Sequence, residues 1–136
     1  MEKEKVGLVF VSAVVEARLE SIRRTLCRKV EEYSTDEDRL HNFNVAAQKR
    51  EAATGKPVSR EEAIQWFAEK HDVSIDDIVN MTKEGKVVLN ELISEKIGDR
   101  INYYILLEAS LYASQDQIRL KQQPRVGGNN ERQNID

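Results

Sequence analysis

The sequence predicts an all-α fold, an antiparallel bundle of about four helices, and three observations carry that prediction. Apolar residues recur at steps of three and four, as in Val15, Leu19, Ile22, Leu26, Val30 and Tyr33, which is the spacing of one helix face. One-third of the 136 residues are charged and only two are proline, which suits helices better than a sandwich or barrel built on frequent turns. Short turn signals, "TGKPVS" and "TKEGK", separate long periodic stretches, so antiparallel neighbours joined by short links are the economical topology.

The apolar run "VGLVFVSAVV" passes into the Val15 to Tyr33 stripe with no turn before Glu16. A first helix of about thirty residues follows, with Val6 to Val14 as its more buried half. The valines would also support a strand over residues 6 to 15. Mixed charges precede the run in "MEKEK" and no clean small-residue cleavage site follows it, so it reads as core helix, neither export signal nor membrane span. "STDEDR" then breaks the chain, and Ser34 with Glu37 has capping-box spacing. The second helix is predicted over about 36 to 53, burying Leu40, Phe43 and Ala47.

Gly55 and Pro57 end that helix, and Ser59 with Glu62 repeats the capping box to open the third. Its stripe is Ile64, Phe67, Ala68, His71, Ile75, Ile78 and Val79, reaching about Met81. The last helix is predicted from about Val87 to Leu120, buried through Ile93, Ile97, Ile101, Tyr104 and Leu111. These elements make one domain over residues 1–120, followed by a disordered tail over 121–136, where Pro124, Gly127 and Gly128 interrupt a nearly apolar-free stretch.

A net charge of -3 does not point to a nucleic-acid partner or an anionic membrane. The single cysteine, Cys27, cannot form an internal disulfide and is expected to be a reduced structural thiol in a cytosolic protein. No Gly-rich phosphate loop or Cys/His zinc spacing is present.

The chemistry-bearing residues stand inside apolar helices. In "EKIGDRINYY", at about 100° per residue, Glu91, Glu95, Asp99 and Asn102 fall on one strip, flanked by Leu92, Tyr103 and Leu106 and set away from the Ile93, Ile97, Ile101 and Tyr104 stripe. A buried carboxylate must reach water, meet a cation or metal, or take up a proton. The strip is therefore a solvated edge, a Mg²⁺ or phosphate-linked acidic site, or an oligomer contact. On the third helix His71 points with the core face, and a core imidazole needs partners for its ring nitrogens. Asp99 or Glu95 on the antiparallel neighbour is the natural candidate, so His71 and Asp99 are predicted to face each other. The order His41, His71-Asp72, Asp99 also matches that of HD-domain phosphohydrolases, but the pair here stands next to Lys70 and Ser74 rather than in an apolar setting.

Three stretches, "EYSTDEDRLHNFNVAA", "FAEKHDVSIDDIV" and "SEKIGDRINYYILLEASL", together resemble small phage and prophage proteins of the nucleotide modification associated domain 1 group over about residues 15 to 112. The last stretch is also similar to the final helix of MazG-type all-α NTP pyrophosphatases, whose acidic residues hold Mg²⁺ against a triphosphate. Here Lys96 stands three before Asp99, where that pattern has a glutamate, and the E-E-x-x-E motif is absent.

The resemblance implies a nucleotide-handling protein of the bacterial host cytoplasm, with Glu95 and Asp99 as Mg²⁺ ligands. It nominates Arg39, Asn42, Phe43, Lys70, His71, Asn102 and Tyr103 for the nucleotide. Arg39 and Lys70 suit phosphate oxygens, and Phe43 or Tyr103 a base platform. A reduced NTP pyrophosphatase-like hydrolase is one form of this reading. The rivals are a small phage-type inhibitor or adaptor acting by contact with a host defence complex, and a structural oligomer. The second apolar side of the last helix, together with "VGLVFVSAVV", exceeds what one small bundle buries, so a homo-oligomer is expected.

Overall fold

The computed structural model describes residues 2–27 and 36–124, with side chains from 10 to 27 and from 40 to 124. Among these residues the chain forms four α-helices and no strand. They are α1 (Glu2–Ile22), α2 (Asp36–Thr54), α3 (Arg60–Lys83) and α4 (Asn90–Gln122), with one wide π-helical turn, Arg23–Cys27, continuing α1. The valine-rich start is thus helical. Val30, Tyr33 and the Ser34 capping box lie outside the described residues, as does the predicted tail beyond residue 124.

Local chemistry sets the boundaries of α2 and α3. Gly55 ends α2 at φ +69°, a left-handed conformation open to glycine without a Cβ penalty. Its amide donates to the Glu51 carbonyl at 2.8 Å. Ser59 then caps α3 in the predicted reciprocal box: its hydroxyl accepts from the Glu62 amide, and the Glu62 carboxylate accepts from the Ser59 amide, both at 3.1 Å. At the other end the Lys86 amide donates to Met81 and that of Gly85, at φ +77°, to Thr82. This pair of bonds is a Schellman closure, satisfying carbonyls the last turn would otherwise leave open.

Leu40, Phe43 and Ala47 of α2 and Ala63 and Ile64 of α3 form the buried cluster, against which Val58, Trp66, Tyr103, Leu106 and Leu107 pack. Phe43 meets Phe67 edge-on at 5.4 Å, and the Arg50 guanidinium lies 4.2 Å over the Trp66 ring. The α2 stripe is buried as its spacing predicts. That of α3 is buried through Ile64, Ala68, His71 and Ile78, while Phe67 and Val79 at its edges stay exposed.

Paired contacts show that α3 and α4 run antiparallel. Arg60 donates to Ser110 and Ser114 to Glu61, whereas His71 meets Asp99 and Asp72 meets Arg100. Rising numbers on one helix meet falling numbers on the other. Ser110, fully buried, accepts from Arg60 Nε at 2.7 Å where the two helices come together.

Three expectations about burial are overturned. The predicted buried stripe of α4 faces outward: Ile93, Ile97, Tyr104 and Leu111 are exposed, and Ile101 is half-buried. The helix instead packs through Leu92, Lys96, Asp99, Tyr103, Leu106 and Ser110. This face supplies polar partners for Arg60, Glu61 and His71, and its small Ser110 permits close approach. In the described part of the predicted buried half of α1, residues 10 to 14, the apolar side chains are exposed, Phe10 at 67% and Val11 at 61%, while the side chains of residues 6 to 9 lie outside the described ones. α1 touches α4 near Arg18, whose guanidinium donates to the Ser94 carbonyl at 3.1 Å and fills the space a side chain at Gly98 would need. Cys27 is a free thiol on the exposed surface of the π turn rather than a packed structural one.

Candidate functional site

One level of the bundle collects residues from three helices. α2 supplies Phe43, α3 His71, and α4 Asp99 and Tyr103. Each is set there by the periodicity of its helix: Phe43 by the α2 stripe, His71 by the stripe of Ile64, Ala68 and Ile78, and Asp99 and Tyr103 by a shared four-residue step. Tyr103 stands 5.2 Å from the imidazole, tilted by 35°, and 6.2 Å from Phe43, edge-on. His71 Nδ1 lies 3.8 Å from Asp99 Oδ2. The two face each other, as predicted, at ion-pair range but beyond hydrogen-bonding distance.

The polar accounting at this level is incomplete. His71 Nδ1 and Asn102 Oδ1 are buried without a hydrogen-bond partner, although His71 as a whole is 7% exposed. Buried polar atoms in folded proteins nearly always find partners, so each orphan calls for an explanation. Asp99 is accessible at one edge, with a side chain 43% exposed. Burial and, secondarily, the Asp99 charge raise the Tyr103 phenol above its ordinary value of 10.0.

The flank is closed by Arg100, which the sequence does not nominate, and by Asp72, named there only in the HD-type order. Arg100 Nε pairs with Asp72 at 2.9 Å while its guanidinium lies 4.2 Å over the Tyr104 ring. At the other end of the α3/α4 contact, Arg60 with Ser110 and Glu61 with Ser114 make a second polar cluster. The Ser114 hydroxyl donates to the Glu61 carboxylate. Burial pushes that carboxyl upward, but the bonds from Ser114, its own backbone and Ser110, together with the Arg60 charge, outweigh it and hold it below 4.5. Only an alignment of α3 on α4 reveals these pairs, since sequence spacing within one helix contains no such signal.

The nominated residues divide accordingly. Phe43, His71, Asp99 and Tyr103 come together, and Asn102 borders them with its orphaned oxygen. Asn42 and Lys70 are exposed, and the Arg39 side chain lies outside the described ones. Glu95 is exposed and 3.9 Å from Lys96 Nζ. His41 is exposed on α2 and Asp72 is paired to Arg100, so the HD-type order does not converge into a cluster.

Among the described residues no group of three or more His, Cys, Asp and Glu side chains is placed to hold a metal. Glu95 and Asp99, one turn apart on α4, supply at most the one or two carboxylates that Mg²⁺ takes when substrate phosphates complete its octahedron. No helix among the described residues is long and apolar enough to cross a membrane. Comparison with protein-family models, with curated proteins and with solved structures yields no match to this chain.

Proposed function

We propose that this chain is a nucleotide-handling binding protein whose ligand site is the level of Phe43, His71, Asp99 and Tyr103. The observation that supports this reading is convergence: residues far apart in the chain meet at one level, where His71 Nδ1 is buried without a partner. A ligand heteroatom reaching the imidazole would satisfy that nitrogen, and the phenol and phenyl rings offer aromatic surface for a base. Lys70, exposed one position before His71, suits a phosphate. Mg²⁺ would come with the phosphates, on Asp99 with Glu95 beside it.

The proposal is confined to binding. Pyrophosphate hydrolysis needs a second ligand set and an activated water. The phage setting rests on the resemblance of the three stretches alone.

The test is thermal unfolding with nucleoside triphosphates and cyclic nucleotides, with and without Mg²⁺. A ligand that binds the native state at a hundred times its Kd stabilises it by about 2.7 kcal/mol. The melting temperature should rise with at least one nucleotide, and Asp99→Ala should remove the Mg²⁺-dependent part while leaving helix content intact. No shift with any nucleotide, together with unchanged behaviour of Asp99→Asn, would sink the reading. A second reading, action by protein contact, is favoured by the outward apolar stripe of α4 and the exposed Asp76 and Asp77 on α3. It includes the inhibitor or adaptor aimed at a host defence complex.

A further inference from the structure

The His71 side chain is only 9% exposed, and its Nδ1 faces the Asp99 carboxylate without a hydrogen-bond partner. Asp99 in turn has no lysine or arginine partner among the described residues. Arg100 Nε is taken by Asp72 at 2.9 Å, and Lys96 Nζ lies 3.9 Å from Glu95. A buried ring nitrogen and an unneutralised carboxylate oxygen therefore face each other at 3.8 Å. With the imidazole neutral and its proton on Nε2, both atoms present lone pairs, and the species that satisfies both at once is a cation.

The separation selects the cation. Zn²⁺ takes imidazole nitrogen at about 2.0–2.1 Å and carboxylate oxygen at about 2.0–2.2 Å. At a tetrahedral angle two such ligand atoms stand about 3.4 Å apart, whereas adjacent ligands of an octahedral ion such as Mg²⁺ stand about 2.9 Å apart. The observed 3.8 Å is nearer the tetrahedral value, and a small rotation of the Asp99 side chain, 43% exposed, closes the difference. Ligand chemistry points the same way, since imidazole suits Zn²⁺ while Mg²⁺ keeps to oxygen.

We propose that His71 Nδ1 and Asp99 Oδ2 are ligands of a transition ion of the Zn²⁺ class, bound where α3 meets α4. Two protein ligands leave positions for water at the exposed edge of Asp99, so the site is an open one and binds more weakly than a closed four-ligand structural centre. Tyr103 against the imidazole and Phe43 against Tyr103 hold the ring in its orientation. Asn102, three residues after Asp99 on α4, offers its buried orphaned Oδ1 as an acceptor for ion-bound water. The ion shares Asp99 with the Mg²⁺ of the nucleotide reading but does not rest on that reading, because it needs no nucleotide.

The experiment is titration of the full chain, cleared of metal with a chelator, with Zn²⁺ by calorimetry and with Co²⁺ by visible absorption. Cys27 and His41 are exposed and can capture such ions adventitiously, so the titrated chain carries Cys27→Ser and His41→Gln. One ion per chain is expected, with Co²⁺ bands of tetrahedral intensity, and a large excess of Mg²⁺ should not displace it. In that background His71→Gln and Asp99→Asn should each weaken binding by about a hundredfold, and Asn102→Ala by about tenfold. Should His71→Gln fail to fold, nitrogen NMR of the histidine ring decides: Zn²⁺ should move Nδ1 of His71 and leave Nε2 protonated. No ion bound in the Cys27→Ser, His41→Gln chain overturns the inference. So does binding that survives Asp99→Asn, yields to Mg²⁺ or uses Nε2. Zn²⁺ binding without any nucleotide-dependent rise in melting temperature sinks the nucleotide reading alone, and the reverse result sinks this inference alone.

Discussion

α3 and α4 are the two longest helices of the core. Both mix an apolar stripe with buried polar groups, yet they treat their stripes in opposite ways. α3 turns Ile64, Ala68, His71 and Ile78 inward, as their spacing predicts. α4 turns Ile97, Tyr104 and Leu111 outward and meets α3 with the face that carries Asp99, Tyr103 and Ser110. Burial of one stripe outweighs burial of another only when a partner is present to receive it. For α3 the partners are α2 and α4 of the same chain. For the isoleucine side of α4 the described chain offers none, and the polar groups of α3 select the other face.

Substitutions can break this contrast, starting with the largest effect. Ile64→Ala, at a side chain 1% exposed, should cost about 3 kcal/mol in chemical denaturation, the lost transfer energy plus an unfilled cavity. Ile93→Ala, on the outward stripe of α4 and 37% exposed, should stay within about 1 kcal/mol. Equal penalties would show that the α4 stripe is buried after all. Ser110→Ala removes the fully buried hydroxyl that accepts from Arg60 and should cost about 1 kcal/mol, measured by urea midpoint. Ser59→Ala opens the capping box of α3 and should cost about the same or slightly less, with an early loss of helicity on heating.

The pH dependence is smaller and more local. Because the folded-state pKa of Glu61 is depressed, its contribution to stability is present above 4.5 and is lost as pH falls through the lowered value. Ser114→Ala should therefore flatten the acid limb of the stability profile, read as urea midpoints between neutral and acid pH. At Tyr103 the sign is reversed. Its folded pKa is raised, so its contribution is full below 10.0 and fades as pH rises through the folded value. Ultraviolet titration of the phenols should show Tyr103 ionising late, and Asp99→Asn should bring it earlier. No change in Asp99→Asn would mean that burial alone shifts the phenol.

Much of the site is legible in the sequence. The His71 to Asp99 approach follows from two helix periodicities and an antiparallel link, and the structure places the two 3.8 Å apart. The second capping box, the Gly55 end of α2 and the burial of Leu40, Phe43 and Ala47 are local consequences of residue type and spacing. Arg60 with Ser110 and Asp72 with Arg100 are not legible there, because each pair depends on the exact register of two helices. The orphaned atoms of His71 and Asn102 are equally invisible, since a sequence states which groups need partners but not which of them find one.

By itself the sequence determined that this chain is helical, where three of its helices begin and end to within a few residues, and that polar groups would sit inside apolar stretches. Capping chemistry, glycine at φ > 0 and the three-and-four step act within a few residues, so they can be read along the chain. Tertiary structure alone decided which side of α4 is core. Two apolar faces on one helix are equivalent until neighbours arrive, and only packing distributes the neighbours among them. The same decision that put Asp99 and Tyr103 against His71 left Ile97, Tyr104 and Leu111 facing out.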